Sequence, residues 1–287
     1  MKHIRHPLPA LLAIAWLLSG SANVDAAESY DNCTGFIDAL PATISTQGVW
    51  CLRQNLSTAI TTGAAINIAT NNVTIDCNDF KIGGLAAGDS SLAIGIYADT
   101  QQNATVRHCG IRGFIRGIWF SNGAGHLVED NRLDNNLYAG IVIGGDNNRV
   151  QRNRVYDTGG STGNTISYGI YAAGDVMDNT VAGVFANGAT PVRYGIQVSG
   201  SGSVARGNQV RGLDVAPGVM GTATGIHAAN PGITLAGNRI SAEVATTGQG
   251  INGVGGNTFC TGNTVVNFAT AYNGCEHSFG NLPEAAP

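Results

Sequence analysis

The chain is written in short apolar runs that alternate with single polar residues and are broken every few positions by glycine or asparagine. No segment keeps a sustained helical period, and alternation at period two predicts strands. Two phrases recur in step. The first is apolar–x–x–Asn–x–apolar, as in VEDNRL from Val128 and VQRNRV from Val150. It returns as IDCNDF from Ile75, VMDNTV from Val176, ARGNQV from Ala205, LAGNRI from Leu235 and CTGNTV from Cys260. One copy, VRHCGI from Val106, has cysteine in the asparagine position. The slots are therefore Asn78, Cys109, Asn131, Asn153, Asn179, Asn208, Asn238 and Asn263, spaced 22 to 31 residues apart. The second phrase is a glycine followed by an apolar alternation, beginning at Gly95, Gly117, Gly140, Gly169, Gly195, Gly225 and Gly250. The stretch from its isoleucine to the next Asn phrase is 9 or 10 residues in every copy but one, where Ile170 to Val176 spans 6. The stretch from an asparagine slot to the next glycine varies from 8 to 17 residues.

A repeat of this length predicts a solenoid. With three short strands per period, each period is one coil, and coils stack about 4.8 Å apart into parallel sheets. The inward residues then form columns, one of them Ile96, Ile118, Ile141, Ile170, Ile196, Ile226 and Ile251. The asparagine is expected at a tight corner, where it tolerates the left-handed conformation. Its amide would bond to the coils above and below, each bond contributing about 0.5–1.5 kcal/mol net. That makes the repeated asparagine structural. Cys109 takes the slot next to Asn78, and Cys77 lies one position before that slot.

The start of the chain does not follow the repeat. Lys2 and Arg5 precede an apolar run from Leu8 to Leu18, then small residues leading to VDAAES. This reads as a secretory signal peptide over residues 1–26, and the run is short for a membrane span of about 20 residues. No later segment is apolar enough to span. The expected location is secreted or periplasmic. Loss of the leader leaves 13 basic against 18 acidic residues, a balance that argues against nucleic acid as a partner. Six cysteines in an exported chain point to disulfides. Their spacing pairs Cys33 with Cys51 and Cys260 with Cys275, which leaves Cys77 with Cys109 as a link between neighbouring coils. No C-x-x-C is present, so a redox or zinc site has no support.

With its asparagine ladder and Gly-Ile strands, the chain resembles the right-handed parallel β-helix (pectin-lyase-like) superfamily, which includes pectate lyases, polygalacturonases, alginate epimerases and phage tailspikes. The resemblance implies an all-β, single-stranded right-handed parallel β-helix of about eight coils. An N-terminal capping segment is expected at 27–63, the β-helix at 64–280 and a tail at 281–287. The resemblance specifies fold and is nearly silent on activity. The paired aspartates with Gly-His-Gly of polygalacturonases and the Asp-Pro-His of alginate epimerases are absent.

Strand alternation supplies a positive clue. With Ile118 and Phe120 inward, Trp119 points outward. The matching outward positions are Tyr97, Trp119, Val142, Tyr171, Gln197, His227 and Asn252. In the superfamily polysaccharide lies over the corresponding sheet. Aromatic rings stack on sugars, and the variable loops would wall a groove. Tyr97, Trp119, Tyr171, Gln197 and His227 are thus the candidate substrate-binding residues. The stripe holds no carboxylate, and glycoside hydrolysis ordinarily needs two. The expected function is therefore polysaccharide contact. If the protein is an enzyme, a lyase or epimerase is favoured over a hydrolase, with His227, Tyr171 or Arg193 as candidate base. The alternative is a noncatalytic structural or adhesive β-helix of the cell envelope. Asp146 and Asp175 each lie six residues after their glycine and are candidates for a calcium site. Arg132, Arg154 and Arg239 follow ladder asparagines. With Glu129, Asp130 and Asp134 nearby, they are expected to form a charge-paired solvent face.

Overall fold

A computed structural model describes residues 30–161, 163–213, 215, 220–254 and 257–284. The proposed signal peptide lies outside the described residues. Three strands and three corners make one coil; Thr105–Arg107, Gly110–Arg112 and Arg116–Ser121 form one such set. Each strand pairs in parallel with its counterpart one repeat away, giving a parallel β-solenoid of about nine turns. The ninth turn comes from the ends. Ala42–Ile44, inside the segment expected to cap the stack, is itself in register with Ile66–Ile68. Leu282–Glu284, expected in a tail, pairs with Thr264–Val266. The only helical turn among the described residues is three residues long, Leu85–Ala87.

Three apolar columns fill the interior. The Gly-Ile sheet contributes Ile66, Ile96, Ile118, Ile141, Ile170, Ile196, Ile226 and Ile251, all without exposed surface. The sheet before the ladder contributes Val106, Val128, Val150 and Val176, and the sheet after it Ile111, Leu133, Val155 and Val181. The repeated glycine has a packing reason. A Cβ on Gly140 would lie 2.8 Å from the Gly169 carbonyl oxygen and against the side chain of Val155. The Gly-Ile strand and the post-ladder strand close on each other at this point, and only glycine leaves room.

The ladder runs from Asn131 to Asn281. Each Nδ2 donates to the Oδ1 one coil on: Asn131 to Asn153 (2.9 Å), Asn153 to Asn179 (3.0 Å), Asn179 to Asn208 (3.1 Å) and so to Asn281. Each Oδ1 also accepts the backbone N–H of the preceding slot, as Asn153 does from Asn131 at 3.1 Å. Each Nδ2 donates back to a strand carbonyl, as Asn153 does to Val128 at 2.9 Å. The buried amide is thereby satisfied at both ends.

Two expectations are corrected here. The left-handed residue is not the asparagine but the one before it. His108, Asp130, Arg152 and Asp178 have φ between 52 and 55°, and Gly207, Gly237, Gly262 and Gly280 take the same place later. The turn is made by the preceding residue, which frees the asparagine side chain to point inward. Asn78 does not join the ladder. Its coil spans Asp76 to Lys81 where the next spans Arg107 to Gly110, so two extra residues intervene. Asn78 itself takes φ 47° and donates to the Leu52 carbonyl instead.

All three disulfides pair as the spacing predicts: Cys33–Cys51, Cys77–Cys109 and Cys260–Cys275. Cys77 and Cys109 join neighbouring coils with Cα atoms 4.7 Å apart. The Cys109 N–H donates to Asn131 Oδ1 at 3.0 Å, so the ladder begins under this bridge. A second buried asparagine, Asn136, supports the opposite corner by accepting from Phe114 N–H and donating to the Ile111 carbonyl, both at 3.2 Å.

His126 is buried against Phe120, and its Nδ1 accepts the Ala104 N–H at 3.2 Å. Burial lowers its pKa from the ordinary 6.5, opposed by the carbonyl of Asn122 near Nε2. Two outcomes are expected. Asn153→Leu strands backbone and amide partners on both sides and should destabilise by about 1–3 kcal/mol in a denaturant titration. The unfolded chain binds the His126 proton first, so stability should fall as pH drops through about 6.5. His126→Gln should shallow that slope in denaturant midpoints measured across the range.

Candidate functional site

The outward stripe of the Gly-Ile sheet has the expected register. Tyr97, Trp119, Val142, Tyr171, Gln197, His227 and Asn252 are neighbours coil by coil. A second outward row, three residues earlier, was not legible from alternation. The bend at the glycine breaks the period: Arg116 points out, Gly117 and Ile118 both point in, and Trp119 points out again. The row carries Arg116, Tyr168 and Tyr194, with Tyr138 at its edge. The phrase YGI at Tyr168 and again at Tyr194 was the available signal.

The two rows knit into one chain of ring contacts. Tyr97 lies 5.0 Å from Trp119 between centroids. The Arg116 guanidinium sits 4.4 Å from the Trp119 ring centroid and 4.9 Å from that of Tyr138. Tyr138 meets Tyr168 at 5.7 Å edge to face. Tyr168 stacks on Tyr194 at 5.1 Å and on Tyr171 at 5.5 Å. Tyr194 reaches His227 at 5.4 Å. From Tyr97 to His227 this covers six coils, about 24 Å at 4.8 Å per coil. Trp119 is half-buried, because Arg116 covers part of it.

Electrostatics follow from this packing. Burial, then the neighbouring tyrosines, pushes the Tyr168 phenol well above the ordinary range. Burial followed by the charge of Asp99 raises Tyr97. Burial lowers His227, opposed by a backbone contact at Asn252, so its imidazole is neutral at neutral pH. Its Nδ1 is enclosed and has no hydrogen-bond partner among the described residues. Arg116 forms no ion pair among the described residues; its contacts there are ring faces.

The remaining candidates lie elsewhere. Arg193 occupies the slot of Ser167 and Ala223, both buried, one position off the outward row. Asp146 and Asp175 share a cleft of about 570 Å³ at the turns that follow the Gly-Ile strands. Asp175 is already engaged, 3.5 Å from Arg149 and accepting the Val204 N–H at 3.1 Å. No group of three or more His, Cys, Asp or Glu gathers among the described residues. The charged face is paired differently from expectation. Arg152, at a left-handed corner, takes Glu129 at 2.6 Å and Asp130 at 2.8 Å. Asp134 lies 3.3 Å from Arg112 and 3.8 Å from Arg132.

Stacked parallel coils and a continuous inward ladder define a parallel β-helix protein. The chain matches the family described as right handed beta helix region over residues 54–215 and belongs to that family. Among solved structures it is similar to the Dettilon tailspike protein gp208, at 13% identity and a TM-score of 0.49, covering 85% of this chain and 60% of that one. It is similar to the A-module of mannuronan C-5 epimerase AlgE4 from Azotobacter vinelandii, at 12% identity and a TM-score of 0.48, covering 88% and 86%. It is also similar to an alginate lyase from Paenibacillus sp. str. FPU-7, at 14% identity and a TM-score of 0.42, covering 85% and 99%. These likenesses concern the fold alone. No curated protein matches the chain.

Suppressed ionisation of the Tyr168 phenol has a stability consequence. The unfolded chain loses the Tyr168 proton near pH 10 while the folded chain keeps it, so stability should fall as pH rises beyond about 10. Tyr168→Phe should lessen that alkaline loss, measured by denaturant midpoints on both sides of the transition.

Proposed function

We propose that the protein contacts polysaccharide along the Gly-Ile face and favours acidic sugars there. The observation that carries this reading is the continuous ring chain from Tyr97 to His227 with Arg116 set into it. Ring edges and hydroxyls along about 24 Å offer repeated contact to a chain of sugars. The fork of Arg116 suits a sugar carboxylate. If the protein is an enzyme, His227 at the end of the ring chain is the candidate base, a reading that fits a lyase or epimerase better than a hydrolase. Export to an oxidising compartment is part of the same proposal. The described cysteines are all in disulfides, and no described helix is long and apolar enough to cross a membrane.

A second reading has its own observation. Tyr168 and Tyr194 lie only 8° from parallel, so the rings cover each other rather than presenting open faces. A noncatalytic structural or adhesive β-helix needs no more than that self-stacked face.

Titration with an acidic oligosaccharide separates the two. Binding should shift the emission of Trp119, and Trp119→Ala should abolish the shift with the fold intact. Arg116→Gln should weaken an acidic ligand about tenfold while leaving a neutral one unaffected. Product release from uronate polysaccharides, lost in His227→Ala with binding retained, identifies the histidine as a base. No perturbation of Trp119 by any polysaccharide establishes the structural reading.

A further inference from the structure

The row of side chains just after the ladder holds a cationic notch. One outward slot of the post-ladder sheet carries Lys81, Gly110, Arg132 and Arg154 on successive coils. Gly110 supplies no side chain, so a gap one coil wide opens between Lys81 and Arg132. The lysine stem leans into it: a Cβ on Gly110 would lie 3.0 Å from Lys81 Cγ. Arg112 stands two residues further along the same strand as Gly110. Lys81, Gly110, Arg112, Arg132 and Asp134 line a space of about 170 Å³. Beside it a second space of about 340 Å³, sharing Lys81, Gly110 and Arg132, reaches Arg152 and Arg154.

The protein's own acids do not neutralise this group. Asp134 is the one carboxylate lining the inner space, and two guanidinium groups share it, Arg112 at 3.3 Å and Arg132 at 3.8 Å. The Arg112 Nε is enclosed and has no aligned hydrogen-bond acceptor. Lys81 and Arg154 form no ion pair among the described residues. Asp130 and Glu129 are committed to Arg152, which leaves Asp79 at the outer rim. Arg132 and Arg154 are direct register partners, and like charges in that relation repel. An external anion seated over Gly110 offsets that repulsion.

We propose that this notch binds an oxyanion, the charged group of a carboxylate, sulfate or phosphate, through Lys81, Arg112 and Arg132, with Arg154 at the rim. The site lies on a different sheet from the aromatic face and does not depend on sugar binding there. Charge-assisted donors converging on one small space are the chemistry such a group requires.

Isothermal titration of the full chain with inorganic phosphate at constant ionic strength tests the site. Saturable binding to one site is expected. Lys81→Gln and Arg132→Gln, both at exposed side chains, should each weaken it about tenfold. Arg239→Gln lies in the same outward row, three coils beyond Arg154, and should bind phosphate as the parent does. Unchanged affinity in both notch variants, or no saturable binding in the parent, overturns the site. An equal loss in Arg239→Gln also overturns it, by showing a diffuse charge effect. Trigalacturonate added to the phosphate-saturated protein separates the sources. Displacement assigns the notch to the acid group of a glycan; retention assigns it to the free oxyanion.

Discussion

From Asn131 to Asn281 the bond from one asparagine amide to the next sets the register of each coil on its neighbour. Parallel strands alone permit slippage by two residues without changing which side chains face inward. A buried amide does not, because a slip would leave its oxygen and nitrogen without partners. The bond is possible only because the residue before the asparagine makes the turn. In the earlier coils that residue carries a side chain in the left-handed region, and neighbours hold it: Arg152 to Glu129 and Asp130, His108 to Asp76. In the later coils glycine takes the position without strain.

Fixed register has a direct effect on chemistry. Residues at equivalent places come within one coil of each other along the whole stack, so any side chain meets its counterpart above and below. On the Gly-Ile face this builds a run of rings with a guanidinium set into it. On the post-ladder face it brings cations together. One geometry makes a favourable stack in the first case and a repulsive one in the second. The surface of this protein is therefore best described as columns, each with its own electrostatic character, rather than as patches.

Much of this was legible in the residues. The asparagine period and the Gly-Ile phrase defined the coil, the inward isoleucine column and the outward stripe from Tyr97 to Asn252. The cysteine spacing matched all three bridges. Asn78 misled because the phrase IDCNDF satisfies the pattern while its coil carries two extra residues, a local insertion that pattern matching does not see. Arg116, Tyr168 and Tyr194 were missed because two consecutive inward residues at the glycine bend reverse the alternation. The pairing of Arg152 escaped for a related reason. Its left-handed backbone turns the side chain toward the preceding coil, a direction set by φ and not by sequence spacing.

The loops between the post-ladder strands and the Gly-Ile strands differ in length from coil to coil, while the corners along the ladder from Asn131 to Asn281 keep one length. Doubling a flexible loop costs only about 0.6 kcal/mol in closure entropy. Losing one ladder amide costs about 1–3 kcal/mol. A residue inserted on the loop side is thus tolerated several times more readily than a single exchange at the corner. Such a chain can change what it presents to its surroundings many times over while its scaffold stays the same length and pitch.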